Sequence, residues 1–156
     1  MKVVFFALLL LAAGVLANPV NNPIKDGVNI VVKRAKEYAA AKRWFNQGCS
    51  GLVSTAWGVG WEYATDFMGV NPISLGIQGK YNLGILKPGD VVGWRKPAGQ
   101  SGHVAIFIGE PNCLFIHQNG YTNPDNRSEC KMGFGTTNTL YKSSRTWNVG
   151  VKPSSG

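Results

Sequence analysis

The chain has 156 residues, enough to bury one hydrophobic core but too few for two ordinary domains. Its formal net charge is +8, because 16 Lys and Arg oppose 8 Asp and Glu. The basic residues are scattered and no nucleic-acid-binding motif accompanies them, so we do not expect nucleic acid as a partner. Distributed positive charge suits a polyanionic partner such as an anionic bacterial envelope. It is equally typical of a surface that only keeps a protein soluble.

Residues 1–17 have the pattern of a secretory signal peptide. Lys2 precedes an apolar run, small residues follow, and Val15 and Ala17 occupy the −3 and −1 positions of a signal-peptidase site. The alternative is a membrane anchor, but the apolar run is shorter than the ~20 residues that a spanning helix needs, and no basic flank follows it. The pattern therefore predicts a secreted, extracellular protein. Its mature part, residues 18–156, is a single domain whose formal charge falls from +8 to +7 with the loss of Lys2.

Helical patterns dominate the first half of the mature chain. Asp26 is a candidate N-cap, and apolar residues at helical spacing after it predict a helix that ends near Trp44. A second helix is expected over 49–57, because its apolar residues share one helical face, and a short third helix over 61–68. Residues 69–87 are rich in Gly, Pro and Asn, which predicts a long loop and makes this segment a candidate lid.

Strand patterns follow the Pro88–Gly89 turn signal. Apolar and β-branched runs bounded by turn residues predict five strands, namely Asp90–Trp94, Gly102–Ile108, Cys113–His117, Thr137–Tyr141 and Thr146–Val151. Helices first and strands afterwards indicate an α+β domain in which N-terminal helices pack on an antiparallel sheet. The five tryptophans are expected in the core rather than as platforms for sugars, and they are Trp44, Trp57, Trp61, Trp94 and Trp147.

Three cysteines in an exported chain leave one without a partner. Cys113 and Cys130 bracket a polar, turn-rich stretch, so we expect them to form a disulfide, which would stabilise the fold by ~3 kcal/mol. Cys49 is then the free thiol, and a free thiol in an oxidising compartment is either buried or used. Asn126 opens a glycosylation sequon, which matters only in a eukaryotic host.

Cys49 stands where a loop ending in glycine enters a predicted helix, and the free N–H groups and dipole of a helix start lower the pKa of a thiol. The only two histidines, His103 and His117, lie in adjacent predicted strands. If those strands pair, His103 can act as the base for Cys49 while His117 orients it. Asn119 lies on the same side of an extended strand as His117 and is the alternative orienting residue. The backbone N–H of Cys49 is the expected oxyanion donor, with Gln47 as a second candidate.

Four short motifs occur in order between Cys49 and His117. They are Cys-Ser-Gly at the start of the predicted helix, Pro-Gly-Asp before the first strand, Gly-His-Val around His103, and the strand that ends in His117. In this order they resemble the NlpC/P60 family of cysteine peptidases, papain-like enzymes of bacterial cell-wall turnover. The resemblance covers about half of the mature chain. It implies a papain-like fold, Cys49 as nucleophile, His103 as base, no cofactor, and an amide of bacterial peptidoglycan as the substrate.

The chain departs from that family in one place, and its motifs fit a second family as well. NlpC/P60 enzymes carry Asp before the cysteine, where this chain has Gly48. The motifs also resemble the related CHAP amidases, whose third catalytic residue is an acid at the position of His117 with an Asn at Asn119. The third catalytic residue therefore stays open between His117 and Asn119. The compact size and the leader are similar to type VI secretion amidase effectors and their secreted arthropod relatives, which implies an antibacterial role.

Three other functions fit parts of the sequence. The chain could be a cationic protein that binds bacterial envelopes without catalysis, or a papain-like protease that acts on ordinary protein. Cys49, His103 and His117 could instead bind zinc, although the sequence lacks the close ligand pairs typical of such sites. The order of the motifs favours a monomeric, secreted hydrolase of peptidoglycan amides that uses no metal or cofactor.

Overall fold

A computed structural model of the protein describes residues 23–77, 80–95, 102–135 and 138–145. The predicted signal peptide, residues 1–17, and the predicted strand Thr146–Val151 lie outside these residues. Within the described ranges, no helix is both long and apolar enough to cross a membrane.

Three helices come first in the chain, and they are α1 (Pro23–Ala40), α2 (Gly48–Trp57) and α3 (Ala64–Met68). α1 begins before Asp26 and has a proline in its first turn, where the missing N–H costs nothing, so the prediction of Asp26 as N-cap is wrong. α2 confirms the helix predicted over 49–57. Gly58, with a φ of 71°, caps its C-terminal end in the left-handed conformation that glycine adopts without strain.

α1 ends earlier than predicted, at Ala40 rather than near Trp44. The backbone turns at Lys42, whose φ of 47° is left-handed. The N–H of Arg43 donates to the carbonyl of Tyr38 at 2.9 Å, and the N–H of Lys42 donates to the carbonyl of Ala39 at 3.1 Å. These two hydrogen bonds form a Schellman motif, which terminates a helix. Because a lysine rather than a glycine takes the left-handed position, the sequence carries no sign of this end.

In the described residues, six strands form one antiparallel sheet. They are β1 (Ile73–Gly76), β2 (Val91–Trp94), β3 (His103–Glu110), β4 (Cys113–His117), β5 (Glu129–Lys131) and β6 (Leu140–Lys142). Their order across the sheet is β1-β6-β2-β3-β4-β5. The expected combination of helices with an antiparallel sheet is therefore confirmed. β2, β3 and β4 match predicted strands, and β6 overlaps the predicted strand 137–141. β5 was missed because three residues are too few to show a period of two.

The segment 69–87 is not the continuous loop that its composition predicts. It contains β1, which pairs with β6 at the edge of the sheet, and a short 3-10 helix over Leu83–Ile85. Leu75 is the one buried side chain of β1, so the strand has no visible apolar alternation. The segment is tied to the sheet edge, three positions away from β3, and this location argues against a lid over Cys49.

β3 is buried on both faces and separates two apolar clusters. On one face, Val104 and Ile106 pack with apolar side chains of α1 and α2. On the other face, Ala105 packs with Phe115 and Phe134. Burial on both sides explains why β3 is a nearly continuous apolar run. It also places α2 directly against the strand that begins with a histidine.

Cys113 of β4 and Cys130 of β5 form the expected disulfide, and Cys49 is free. The disulfide joins two strands that also pair through their backbones, with Ile116 opposite Cys130. β5 is therefore held to β4 both covalently and by hydrogen bonds. The next residue pair in this register is His117 opposite Glu129, and both belong to the candidate site.

Candidate active site

The candidate nucleophile, Cys49, is the second residue of α2, directly after Gly48. Gly48 has a φ of 65°, a conformation that residues with a side chain rarely adopt. A Cβ at this position would lie 3.1 Å from the carbonyl carbon and oxygen of Gly120. Both facts favour glycine here, at the position where the NlpC/P60 pattern has an aspartate. The start of α2 is in close contact with the chain that follows β4.

The thiol of Cys49 is partly buried and lies near backbone N–H groups. Burial raises the pKa of the Cys49 thiol, whereas the N–H groups of Val104, Ser50 and Cys49 itself act to lower it. Burial has the larger effect, so the net shift is upward. This is opposite to the lowered pKa expected from the helix start, because the sequence shows the N–H groups but not the loss of water around the sulfur.

His103 and His117 are in direct contact, as the predicted pairing of their strands requires. Nε2 of His103 lies 2.7 Å from Nδ1 of His117, and both side chains are buried at 6 % exposure. The ring of Trp94 stacks on His103 with the centroids 4.6 Å apart, and Phe134 contacts both imidazoles. Burial, and then the proximity of His117, lower the pKa of His103 to about 3. His103 is therefore a neutral imidazole at physiological pH.

A carboxylate continues this chain of polar groups. Nε2 of His117 lies 3.3 Å from Oε1 of Glu129, which stands directly opposite His117 in the β4–β5 pairing. Nζ of Lys131 lies 3.2 Å from the same oxygen. Burial lowers the pKa of His117, while Glu129 acts to raise it. Sequence analysis missed Glu129, since it lies on the short strand β5.

The structure brings the histidines together more closely than it brings Cys49 to either of them. The thiol faces the backbone N–H of Val104, the residue after His103. Neither His103 nor His117 forms a hydrogen bond with the sulfur of Cys49 in the described part of the chain. The thiol of Cys49 thus lies against the backbone of β3, next to His103 in sequence, without being paired with its imidazole in this conformation.

The two remaining candidates are Asn119 and Gln47, and in the described part of the chain neither forms a hydrogen bond with His103 or His117. Asn119 is exposed and lines a cavity of about 390 Å³ together with His103 and His117. The side chain of Gln47 is exposed and lies over Gly51, with Oε1 3.0 Å from where a Cβ of that glycine would be. His117, and not Asn119, is therefore the side chain that contacts His103.

Gln118 is a positioning residue that sequence analysis did not find. Its side chain is fully buried, and its Oε1 accepts a hydrogen bond from the backbone N–H of Phe45 at 2.7 Å. Its Nε2 donates to the carbonyl of Phe45 at 2.7 Å and to that of Gly120 at 2.8 Å. The amide thus joins the chain before α2 to the chain after β4. A Gln directly after His117 was the one available signal, but nothing in the sequence shows that it is buried.

The tryptophans divide between core and surface. Trp57 is 3 % exposed, as predicted, and Trp94 is partly buried. Trp44 and Trp61 are 37 % and 49 % exposed, so the expectation that they lie in the core is wrong. Trp147 lies outside the described residues. An apolar residue type alone does not reveal which face of a helix or loop receives a neighbour.

Among the side chains that the structure covers, no group of three or more His, Cys, Asp or Glu residues is placed to hold a metal ion. Cys49, His103 and His117, the zinc ligands considered above, do not form such a group in the described structure. In comparisons with known proteins, no family model matches the chain, and no curated protein matches its sequence at a significant level. The chemistry of this site therefore follows from its own geometry.

Proposed function

We propose that this protein is a secreted, antibacterial cysteine hydrolase that cuts amide bonds in the stem peptides or cross-links of peptidoglycan. The observation that carries the proposal is the buried hydrogen bond between His103 and His117, next to the residue that the Cys49 thiol faces. A papain-like fold of the NlpC/P60 type suits this arrangement, because a helix with a thiol at its start packs on an antiparallel sheet that carries both imidazoles. The order of the four motifs and the predicted leader support a cell-wall substrate and secretion.

The hydrogen-bond chain favours one tautomer of His103. The carboxylate of Glu129 can only accept, so Nε2 of His117 carries the proton that points to it. Nδ1 of His117 then accepts from the Nε2–H of His103. This leaves the lone pair of His103 on Nδ1, the ring nitrogen turned away from His117. A neutral His103 in this form is a base for a thiol.

The shifted pKa values favour a neutral resting pair rather than a preformed thiolate and imidazolium. The pKa of Cys49 is raised and the pKa of His103 is lowered, in both cases mainly by burial. Proton transfer therefore accompanies attack on the substrate instead of preceding it. A closer contact between the thiol and Nδ1 of His103 would have to form once a substrate is bound, since such contacts are often loose in a free enzyme.

In the proposed reaction, the sulfur of Cys49 attacks the amide carbonyl carbon while its proton passes to Nδ1 of His103. The negative charge moves to the carbonyl oxygen, where the backbone N–H of Cys49 can stabilise it. As the C–N bond breaks, His103 gives the proton to the leaving amine. Water, deprotonated by His103, then attacks the thioester, which releases the carboxylic acid and restores the thiol. His117 and Glu129 act through His103 by stabilising its transient positive charge.

The test is hydrolysis of purified peptidoglycan, with mass spectrometry of the released fragments identifying the bond. We expect Cys49→Ala and His103→Ala each to abolish release, with no further loss in the double variant, because the two residues act as one unit. Cys49→Ser, nearly isosteric, serves as the control for folding by circular dichroism. Release that persists in Cys49→Ala would overturn the proposal.

Two alternatives give different results in the same experiment. A non-catalytic cationic protein that binds envelopes would kill bacteria equally well as wild type and as Cys49→Ala, and would release no fragments. A papain-like protease of ordinary protein would cleave casein and leave peptidoglycan intact.

A further inference from the structure

An exposed pair of aromatic rings lies beside the start of α2. Trp61 and Tyr63 are 49 % and 63 % exposed, and their rings meet edge to face with centroids 4.6 Å apart. A single exposed aromatic side chain is ordinary in a soluble protein, but two in contact form an apolar surface of the kind found at binding sites.

The ring of Trp61 is anchored next to the nucleophile. Its Nε1–H donates to Oγ of Ser50 at 3.1 Å, and this hydroxyl donates to the carbonyl of Gln47 at 3.2 Å. Ser50 is buried and directly follows Cys49, so the indole is held one residue away from the thiol. Because the only donor of the indole is used within the protein, the ring offers a ligand its π face and its hydrocarbon edge. The engaged hydroxyl of Ser50 is likewise no second nucleophile.

The segment that carries both rings is held from two sides. The N–H of Glu62 donates to Oγ of Ser54 in α2 at 3.2 Å. The guanidinium of Arg145 donates hydrogen bonds to the carboxylate of Glu62, with Nη2 of Arg145 at 3.2 Å from Oε1 of Glu62. Both side chains are mostly buried. Trp61 and Tyr63 flank this fixed residue. An aromatic pair that is rigid before binding loses little conformational entropy when a ligand arrives.

We propose that Trp61 and Tyr63 form a subsite that stacks on a pyranose ring of the glycan strand, a proposal that rests on the peptidoglycan substrate proposed above. Stem peptides consist of alanine, glutamate and a diamino acid, none of which has a broad apolar face. A pyranose ring has a face of C–H groups and a rim of polar groups, which matches an aromatic surface open to water on one side. The enzyme therefore prefers stem peptides that are still attached to glycan.

The experiment measures binding to Cys49→Ala by calorimetry with three ligands: the disaccharide tetrapeptide, the same tetrapeptide alone, and the disaccharide alone. We expect the disaccharide tetrapeptide to bind about tenfold more tightly than the free tetrapeptide. Trp61→Leu in the same background should remove this difference, since leucine keeps bulk but has no flat face. Tyr63→Leu should reduce it, and Trp61→Phe, which keeps a ring without the N–H, should retain part of it. Ile73→Ala, at a similarly exposed residue on the far edge of the sheet, is the matched control and should retain all of it.

Equal affinity for the two peptides, failure to bind any of the three ligands, or a glycan advantage that survives Trp61→Leu and Tyr63→Leu would each overturn the subsite. Hydrolysis of peptidoglycan by wild type with no glycan preference would remove the subsite and leave the proposed function in place. A glycan preference that depends on Trp61, without hydrolysis by wild type, would keep the subsite and remove the catalytic function.

Discussion

At the scale of single residues, burial controls the chemistry of the candidate site. It raises the pKa of Cys49 and lowers the pKa values of His103 and His117, so all three groups favour their neutral forms. In the proposed reaction, a second imidazole and a carboxylate behind it offset the cost of charging the buried His103. Glu129 supplies a negative charge at the far end of the chain without entering the buried region, since its side chain is about half exposed.

Stability should fall in acid because of the buried imidazoles. His103 has a pKa of about 3 in the folded protein and an ordinary value near 6.5 when unfolded, so below pH 6.5 the unfolded state binds a proton that the folded state does not. Titration of His103 does not change the free energy of unfolding above pH 6.5. Between pH 6.5 and about 3 it lowers that free energy by about 1.4 kcal/mol per pH unit as the pH falls. Urea unfolding of wild type and His103→Gln at pH 7, 5.5 and 4.5 measures this effect. Equal slopes for the two proteins would contradict it.

The third catalytic residue can be identified by three substitutions. We expect His117→Ala to lower kcat by ~10- to 1000-fold, because it removes the group that orients His103. Glu129→Gln should lower kcat by a smaller factor and leave KM nearly unchanged, since its amide can still accept a hydrogen bond but has no charge. Asn119→Ala should have a smaller effect, because Asn119 lines the cavity while the hydrogen bond to His103 comes from His117. A silent His117→Ala together with a crippled Asn119→Ala would instead favour the CHAP-like arrangement.

At the scale of elements, the site depends on how the start of α2 is joined to the start of β3 and to the chain that follows β4. The contact between Gly48 and Gly120 and the side chain of Gln118 both act at this junction. The side chain of Gln118 forms hydrogen bonds with both the N–H and the carbonyl of Phe45, as the backbone of a neighbouring strand would. The position of the thiol relative to the imidazoles is therefore determined by backbone contacts far apart in sequence.

Gln118→Leu should weaken both stability and activity. It leaves the buried N–H of Phe45 without a partner, at about 1–3 kcal/mol. The carbonyl of Phe45 loses one of two donors and keeps the hydrogen bond from the N–H of Gly48 at 3.0 Å. Gln118→Glu, which keeps an acceptor for the N–H of Phe45 but places a buried carboxylate against two carbonyl oxygens, is the matched variant and should be at least as destabilising. Thermal melting and kcat/KM per folded molecule are the measurements. A lower melting temperature with unchanged kcat/KM would give Gln118 a role in stability alone.

At the scale of the whole molecule, the formal charge of the mature chain, which is +7 once Lys2 is subtracted from the +8 of the full chain, predicts salt-dependent binding to bacterial cells. Exposed charges are screened within ~10 Å at 0.1 M salt, so pelleting of protein with whole cells should weaken as salt rises. Hydrolysis of small soluble wall fragments should be far less sensitive, because these fragments have no extended anionic surface. A parallel decrease in both measurements would indicate that cationic side chains act within the substrate-binding site.

Much of this architecture could be predicted because it is local in the sequence. The helical face of 49–57, the apolar runs of β2, β3 and β4, and the pairing of Cys113 with Cys130 all depend on residue types at short spacing. The two histidines could be placed near each other because a short turn links their strands. The proposed nucleophile and base came from motifs of the same local kind.

The rest was decided by tertiary contacts. The left-handed turn that ends α1, the edge strand β1 and the three-residue strand β5 leave no periodic pattern, since neighbours that are distant in sequence stabilise them. Glu129 reaches His117 only through strand pairing, and Gln118 becomes a buried link only once α2 and β4 converge. The direction of the pKa shifts also needed the folded chain, because a sequence shows which groups can ionise but not how much water surrounds them. Residue types and short spacings thus determined the elements and the candidate chemistry, while packing determined which groups meet and in which charge state.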